Sequence, residues 1–161
     1  MEHLVEDAYG LIHLIASIVA LVSGTLVLAM KKGTVRHKQV GYVYVTNMGI
    51  LILTAFMIYR LFSGWGVFHY AAVASLLTIG FGMVPIWTKK PTGKWKYMHF
   101  SIMYWSVIGL YAAFTAEVFT RIPKTSFFGM VGIAFIVIML AGAVFFRKNK
   151  VKWIKIFGIE K

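Results

Sequence analysis

Cysteine is absent from the 161 residues. That excludes disulfides, iron–sulfur clusters, thiolate zinc sites and the Cys-x-x-Cys-His attachment of a covalent haem. Carboxylates are scarce: Glu2, Glu6, Asp7, Glu117 and Glu160 are all there are, too few for the proton-relay chain of a membrane pump. Charged residues make up only 14% of the chain, against about 25% in soluble domains. A water-soluble enzyme and a nucleic-acid-binding domain with a polar surface are thereby excluded. No Gly-rich phosphate loop follows a strand, and no Gly-x-Ser-x-Gly occurs. The N-terminal stretch Met1 to Asp7 is acidic where a signal peptide is basic, so no cleavable signal is expected.

What is present is apolar. Hydrophobic residues make up 60% of the chain, and the mean hydropathy is +0.78. Five runs stand out, at about 11–30, 40–59, 66–87, 97–119 and 127–146. Each is about 20 residues or more, enough to cross about 30 Å of hydrocarbon as a helix. The fold expected is all-α, an integral membrane helical bundle with five transmembrane helices in one domain, 1–146, followed by a basic tail, 147–161.

The cations set the orientation. Lys31, Lys32, Arg36 and Lys38 separate runs one and two; Lys89, Lys90, Lys94 and Lys96 separate three and four. Arg147, Lys148, Lys150, Lys152, Lys155 and Lys161 follow run five. Thus 14 of 17 Lys and Arg fall on one side, leaving Arg60, Arg121 and Lys124 on the other. The positive-inside rule then puts the N-terminus outside and the C-terminus in the cytoplasm. The net charge of +12 reads as a topology signal, with the lipid bilayer as partner and no nucleic acid. Trp153, Ile154, Ile156 and Phe157 lie among the tail lysines, a pattern suited to anionic lipid at an interface. A protein partner or a homo-oligomer is compatible with the same pattern.

Titratable groups inside a membrane are costly and therefore candidates for function. His13 and His69 fall near the outer ends of runs one and three; His37 and His99 fall near the inner ends of runs two and four. Both of the first two hairpins follow one order: outer histidine, helix, Lys-Lys-x-Thr, inner histidine, helix. The order predicts a duplicated helical hairpin plus one extra helix, related by an axis along the membrane normal. Helical phase places His99 and Glu117, five turns apart, on one face with Met103, Ser106, Leu110 and Ala113 between them. The His13 face runs through Ala16, Ser17, Ala20 and Gly24, small residues that let helices approach closely.

Three functions fit this pattern. The first is a transmembrane electron carrier with two haem b groups, one between His13 and His69 and one between His37 and His99. The second is an outer-face site for zinc, copper or iron made by His13, His69 and Glu117. The third is a cofactor-free membrane assembly factor or small transporter. Shallow histidines satisfied by water or headgroups, and a Glu117–Arg121 or Glu117–Arg60 ion pair, are the plainer readings of the same residues. Whether the protein is an enzyme stays open.

The segment from His13 through Lys32-Gly33-Thr34, His37, Gly41 and Tyr44 to Met48 belongs with a later run. That run is His99, Met103, Gly109-Leu110, Ala112-Ala113, Ala116-Glu117, Arg121 and Pro123. Together they resemble the bacterial predicted membrane proteins grouped as domain of unknown function 2306, from about Leu11 to Pro123. The resemblance implies a bacterial cytoplasmic-membrane location and gives weight to His13, His37, His69, His99 and Glu117. It brings no activity with it. Likeness to di-haem cytochrome b bundles is architectural only.

Overall fold

The computed structural model describes residues 8–58, 64–123 and 125–157. They form five α-helices and no strand: α1 Ala8–Ala29, α2 Val35–Ala55, α3 Val67–Thr88, α4 Trp95–Phe119 and α5 Phe127–Ile156. Four of these, α1, α3, α4 and α5, are long and apolar enough to cross a membrane. The α2 helix falls short of that mark because it starts inside the basic loop, taking in Arg36, His37, Lys38 and Gln39. Glu2, Glu6, Asp7, Tyr59, Arg60, Lys124 and Lys161 lie outside the described residues.

The α2 start differs from the expected residue 40 for a local reason. Gly33 adopts a left-handed φ of 79°, which ends the turn after α1 where a side chain would be strained. Thr34 then caps α2 with its hydroxyl, accepting from the His37 N–H at 3.1 Å. The C-terminus of α1 is closed by Lys32, whose ammonium donates to the carbonyls of Val27, Leu28 and Met30 at 2.6–3.1 Å. Burial of that ammonium pushes its pKa below the ordinary lysine value. At the other end α2 stops at Ala55 rather than 59. Phe56 and Met57 tighten the last turn, and the Phe56 ring packs on Trp65 and His69.

The chain divides into two compact units, Met1–Leu76 and Leu77–Lys161, with the boundary inside α3. In the first unit α1 and α2 form a hairpin. Its α1 face is made of Ala16, Ser17, Ala20, Ser23 and Gly24, all buried, which includes every small residue expected there. On α2 the buried stripe is Tyr44, Met48 and Ile52; small residues on one helix receive large ones on the other.

In the second unit α4 packs against α5. Met103, Ser106 and Leu110 are buried as their phase predicted, while Ala113 is only half-buried. Gly142 of α5 opens the approach: a Cβ there would meet Ile108 Cγ2 at 2.7 Å. Its carbonyl accepts the Tyr104 phenol at 2.8 Å. The α5 helix does not stop at 146 but continues through the basic segment to Ile156. No Gly or Pro interrupts residues 143–157, so nothing breaks the backbone ladder. Trp153 and Phe157, expected at lipid, pack instead on Phe100, with centroids at 4.8 and 5.2 Å. Tyr104 and Phe146 complete that aromatic group around Trp153.

Candidate functional site

The histidines are the natural place to look for chemistry, and backbone hydrogen bonds assign a proton to two of the rings, His69 and His99. His13 Nδ1 lies 2.9 Å from Thr54 Oγ1, joining α1 to α2. The Thr54 hydroxyl also reaches Ile50 O (2.9 Å) and Leu51 O (3.0 Å) of its own helix, so its single hydrogen serves one of these three acceptors.

His69 is held by backbone. Its Nδ1 accepts the Gly66 backbone N–H at 3.1 Å, so in the neutral ring the proton is on Nε2. The ring is buried at 4% exposure and stacks on Trp65, with centroids 5.7 Å apart and planes 26° off parallel. This closes the start of α3, since the His69 N–H also bonds Gly66 O. The arrangement copies half of a capping box, with imidazole in the place of a carboxylate.

In the second unit His99 donates from Nδ1 to Gly82 O at 2.7 Å, leaving its lone pair on Nε2. Pro85, fully buried inside α3, brings no N–H to the Phe81 carbonyl, and the His99 bond falls on the next carbonyl along, that of Gly82. Gly82 also admits Met103, whose sulfur would lie 2.6 Å from a Cβ at that position.

These tautomers bear directly on the expected cofactors. Haem iron takes a nitrogen lone pair from each axial imidazole. In the neutral ring His69 presents a proton on Nε2 and has committed its Nδ1 lone pair to Gly66. The outer pair therefore does not fit a bis-histidine haem while α3 starts as it does. His99 has the tautomer that metal ligation uses. Glu117 is held by Arg121 at 2.8 Å, one turn on, with both side chains partly exposed. Among the described residues no three of His, Cys, Asp and Glu gather into a group suited to a metal ion.

The two hairpin loops are not copies of each other in detail. Each has a left-handed glycine, Gly33 and Gly93, one residue before the helix cap. Relative to those caps His37 is the third residue and His99 the fifth. The cap itself differs, Thr34 bonding through its side chain and Lys94 not. Residues the sequence did not single out complete the local structure: Thr54, Trp65, Gly66, Gly82 and Gly142. Thr54 and Gly66 stand at helix ends and Gly82 three residues before Pro85, while Trp65 and Gly142 carried no such signal.

Apolar helices of membrane-crossing length, polar groups folded back onto backbone and large exposed aliphatic side chains define a polytopic helical membrane protein. Residues 10–148 match the family model described as predicted membrane protein (DUF2306). The chain belongs to that family. No curated protein and no solved structure matches it.

Proposed function

We propose that this is a five-span protein of the bacterial cytoplasmic membrane that works without a bound cofactor, in the class of membrane assembly factors. The observation that carries the reading is the use of its imidazoles. His13 ties α1 to α2, His69 closes the start of α3, and His99 ties α4 to the Gly82 carbonyl of α3. On α1 and α2, Ser17, Ser23, Thr25, Asn47 and Thr54 each bond a carbonyl of their own helix, which supports a packing role for these side chains. Packing of α2 along α1 supports a fifth span, because α1, about 33 Å of helix, is apolar enough to cross.

The Nε2 lone pair on His99 favours a second reading, a haem or metal centre. An absorption spectrum separates the two. Protein purified from haem-supplied cells is expected to show no Soret band and no reduced-minus-oxidised difference, with metal at background by elemental analysis. A stoichiometric Soret band lost in His13→Ala or His99→Ala overturns the cofactor-free reading.

A further inference from the structure

Within the second unit, cations collect at one end and no described carboxylate accompanies them. The α3–α4 loop carries Lys89, Lys90, Lys94 and Lys96, and the end of α5 carries Arg147, Lys148, Lys150, Lys152 and Lys155, all exposed. Tyr97 and Phe157, with ring centroids 6.2 Å apart, bring the two groups to the same end. Glu117, the one described carboxylate, is held by Arg121. The sequence holds four others, so these nine cations keep a surplus of at least five whatever else of the chain comes near.

The outer side of α5 is graded along its length. Phe146, Trp153 and Phe157 turn toward α4. On the opposite side one stripe, spaced three or four residues apart, runs Val137, Leu140, Val144, Lys148, Val151 and Lys155. Its first three members are 56%, 60% and 52% exposed, and Lys152 flanks its cationic half. The change from aliphatic to cationic falls where the apolar run ends, at Phe146. Lys148 and Lys152 stand about 3–9 Å past that point, at the level of a headgroup layer about 5–8 Å deep. Val151, 66% exposed between them, suits the boundary of headgroup and acyl chain.

We propose that this stripe binds an anionic phospholipid, with acyl chain along Val137, Leu140 and Val144 and the phosphate at Lys148 and Lys152. The α3–α4 lysines add to the field at the same end. Charge decides the class: a net anionic headgroup offsets the surplus, and a zwitterionic one does not. The graded stripe decides the source, since a free phosphate or an acidic protein has no use for three aliphatic side chains below the cations. Trp153 and Phe157 take no part, being packed on Phe100. The inference rests on α5 crossing the membrane, one element of the reading above, and uses nothing of the cofactor question.

The full chain is equilibrated in vesicles of equal phosphatidylcholine and phosphatidylglycerol, withdrawn in mild detergent, and its retained lipid quantified. Phosphatidylglycerol is expected to exceed phosphatidylcholine by at least about fivefold. Lys148→Gln, Lys152→Gln and Lys155→Gln together are expected to bring that ratio below about twofold. Lys148→Arg, Lys152→Arg and Lys155→Arg together keep it, which separates lost charge from lost folding. Removing three charges from the first unit, by Lys31→Gln, Arg36→Gln and Lys38→Gln, leaves the ratio unchanged. A ratio near one in the unmutated protein overturns the proposal, as does an equal fall in both glutamine triples or a fall in the arginine triple. A ratio lost to inorganic phosphate, but not to chloride at the same ionic strength, assigns a free-anion site and overturns the lipid. Reporters at Thr125 and after Lys161 test the crossing of α5 by itself. If both read one side, that premise fails and the proposal with it, whatever lipid is retained.

Discussion

At the scale of the residue, this protein shows how histidine behaves when the surrounding solvent is hydrocarbon. An imidazole has one donor and one acceptor when neutral, so fixing one nitrogen decides the other. His99 gives Nδ1–H to a carbonyl oxygen, and His69 takes an N–H on the same atom. Identical residue types thus carry opposite edges. The His13–Thr54 bond is testable by a double-mutant cycle. His13→Ala and Thr54→Val are each expected to lower thermal stability in detergent, with a coupling of about 0.6 kcal/mol and not above about 2 kcal/mol. Strict additivity in the melts would show that the bond contributes nothing. The positions of the histidines were legible in the sequence; their tautomers were not, because those depend on Gly66 and Gly82, distant in the chain or silent in composition.

At the scale of the element, two glycines admit neighbours of different stiffness. Gly82 faces the flexible end of Met103, and Gly142 faces the branched side chain of Ile108. Replacing a helical glycine by alanine gains about 1 kcal/mol of helix propensity, while overpacking costs about 1–3 kcal/mol. The thioether of Met103 can swing aside; Ile108 is locked at χ1. Gly82→Ala is therefore expected to be near neutral, and Gly142→Ala to destabilise by about 1–2 kcal/mol net. Thermal unfolding of the two variants checks the order, and a Gly82→Ala loss exceeding that of Gly142→Ala would contradict it. Loss at Gly142 should also weaken the aromatic group around Trp153, which a change in tryptophan fluorescence would register. Periodicity foresaw the α4 stripe through Met103, Ser106 and Leu110. It gave no account of the α5 extension, where lysines mask a helix whose inner side is Phe146, Trp153 and Phe157.

At the scale of the whole molecule, the cations of the described residues gather at the α1–α2 loop, the α3–α4 loop and the far end of α5. At the opposite helix ends the described cation is Arg121, which Glu117 neutralises. Since α5 is 30 residues long, about 45 Å, it overshoots a hydrocarbon core of about 30 Å and holds its lysines beyond that core. Reporter fusions at Gly33, at Pro91 and after Lys161 are expected to read cytoplasm, and one at Gly64 to read the outside. A cytoplasmic signal at Gly64 would remove α2 from the membrane; an outside signal after Lys161 would invert the whole orientation.

Composition and run length alone determined that this is a helical membrane protein, where its four most apolar helices lie, and which small residues line α1. These follow from local quantities: hydrocarbon admits only segments whose backbone bonds itself, and a helix repeats every 3.6 residues. The early start of α2 turned on one glycine at positive φ and one threonine cap, and the extension of α5 on the absence of any breaker. Only the tertiary structure decided what each imidazole does. A proton on one nitrogen or the other is set by the partner that folding brings within about 3 Å; for His99 helix packing chooses that partner, while for His69 it is Gly66, three residues back, once α3 begins where it does.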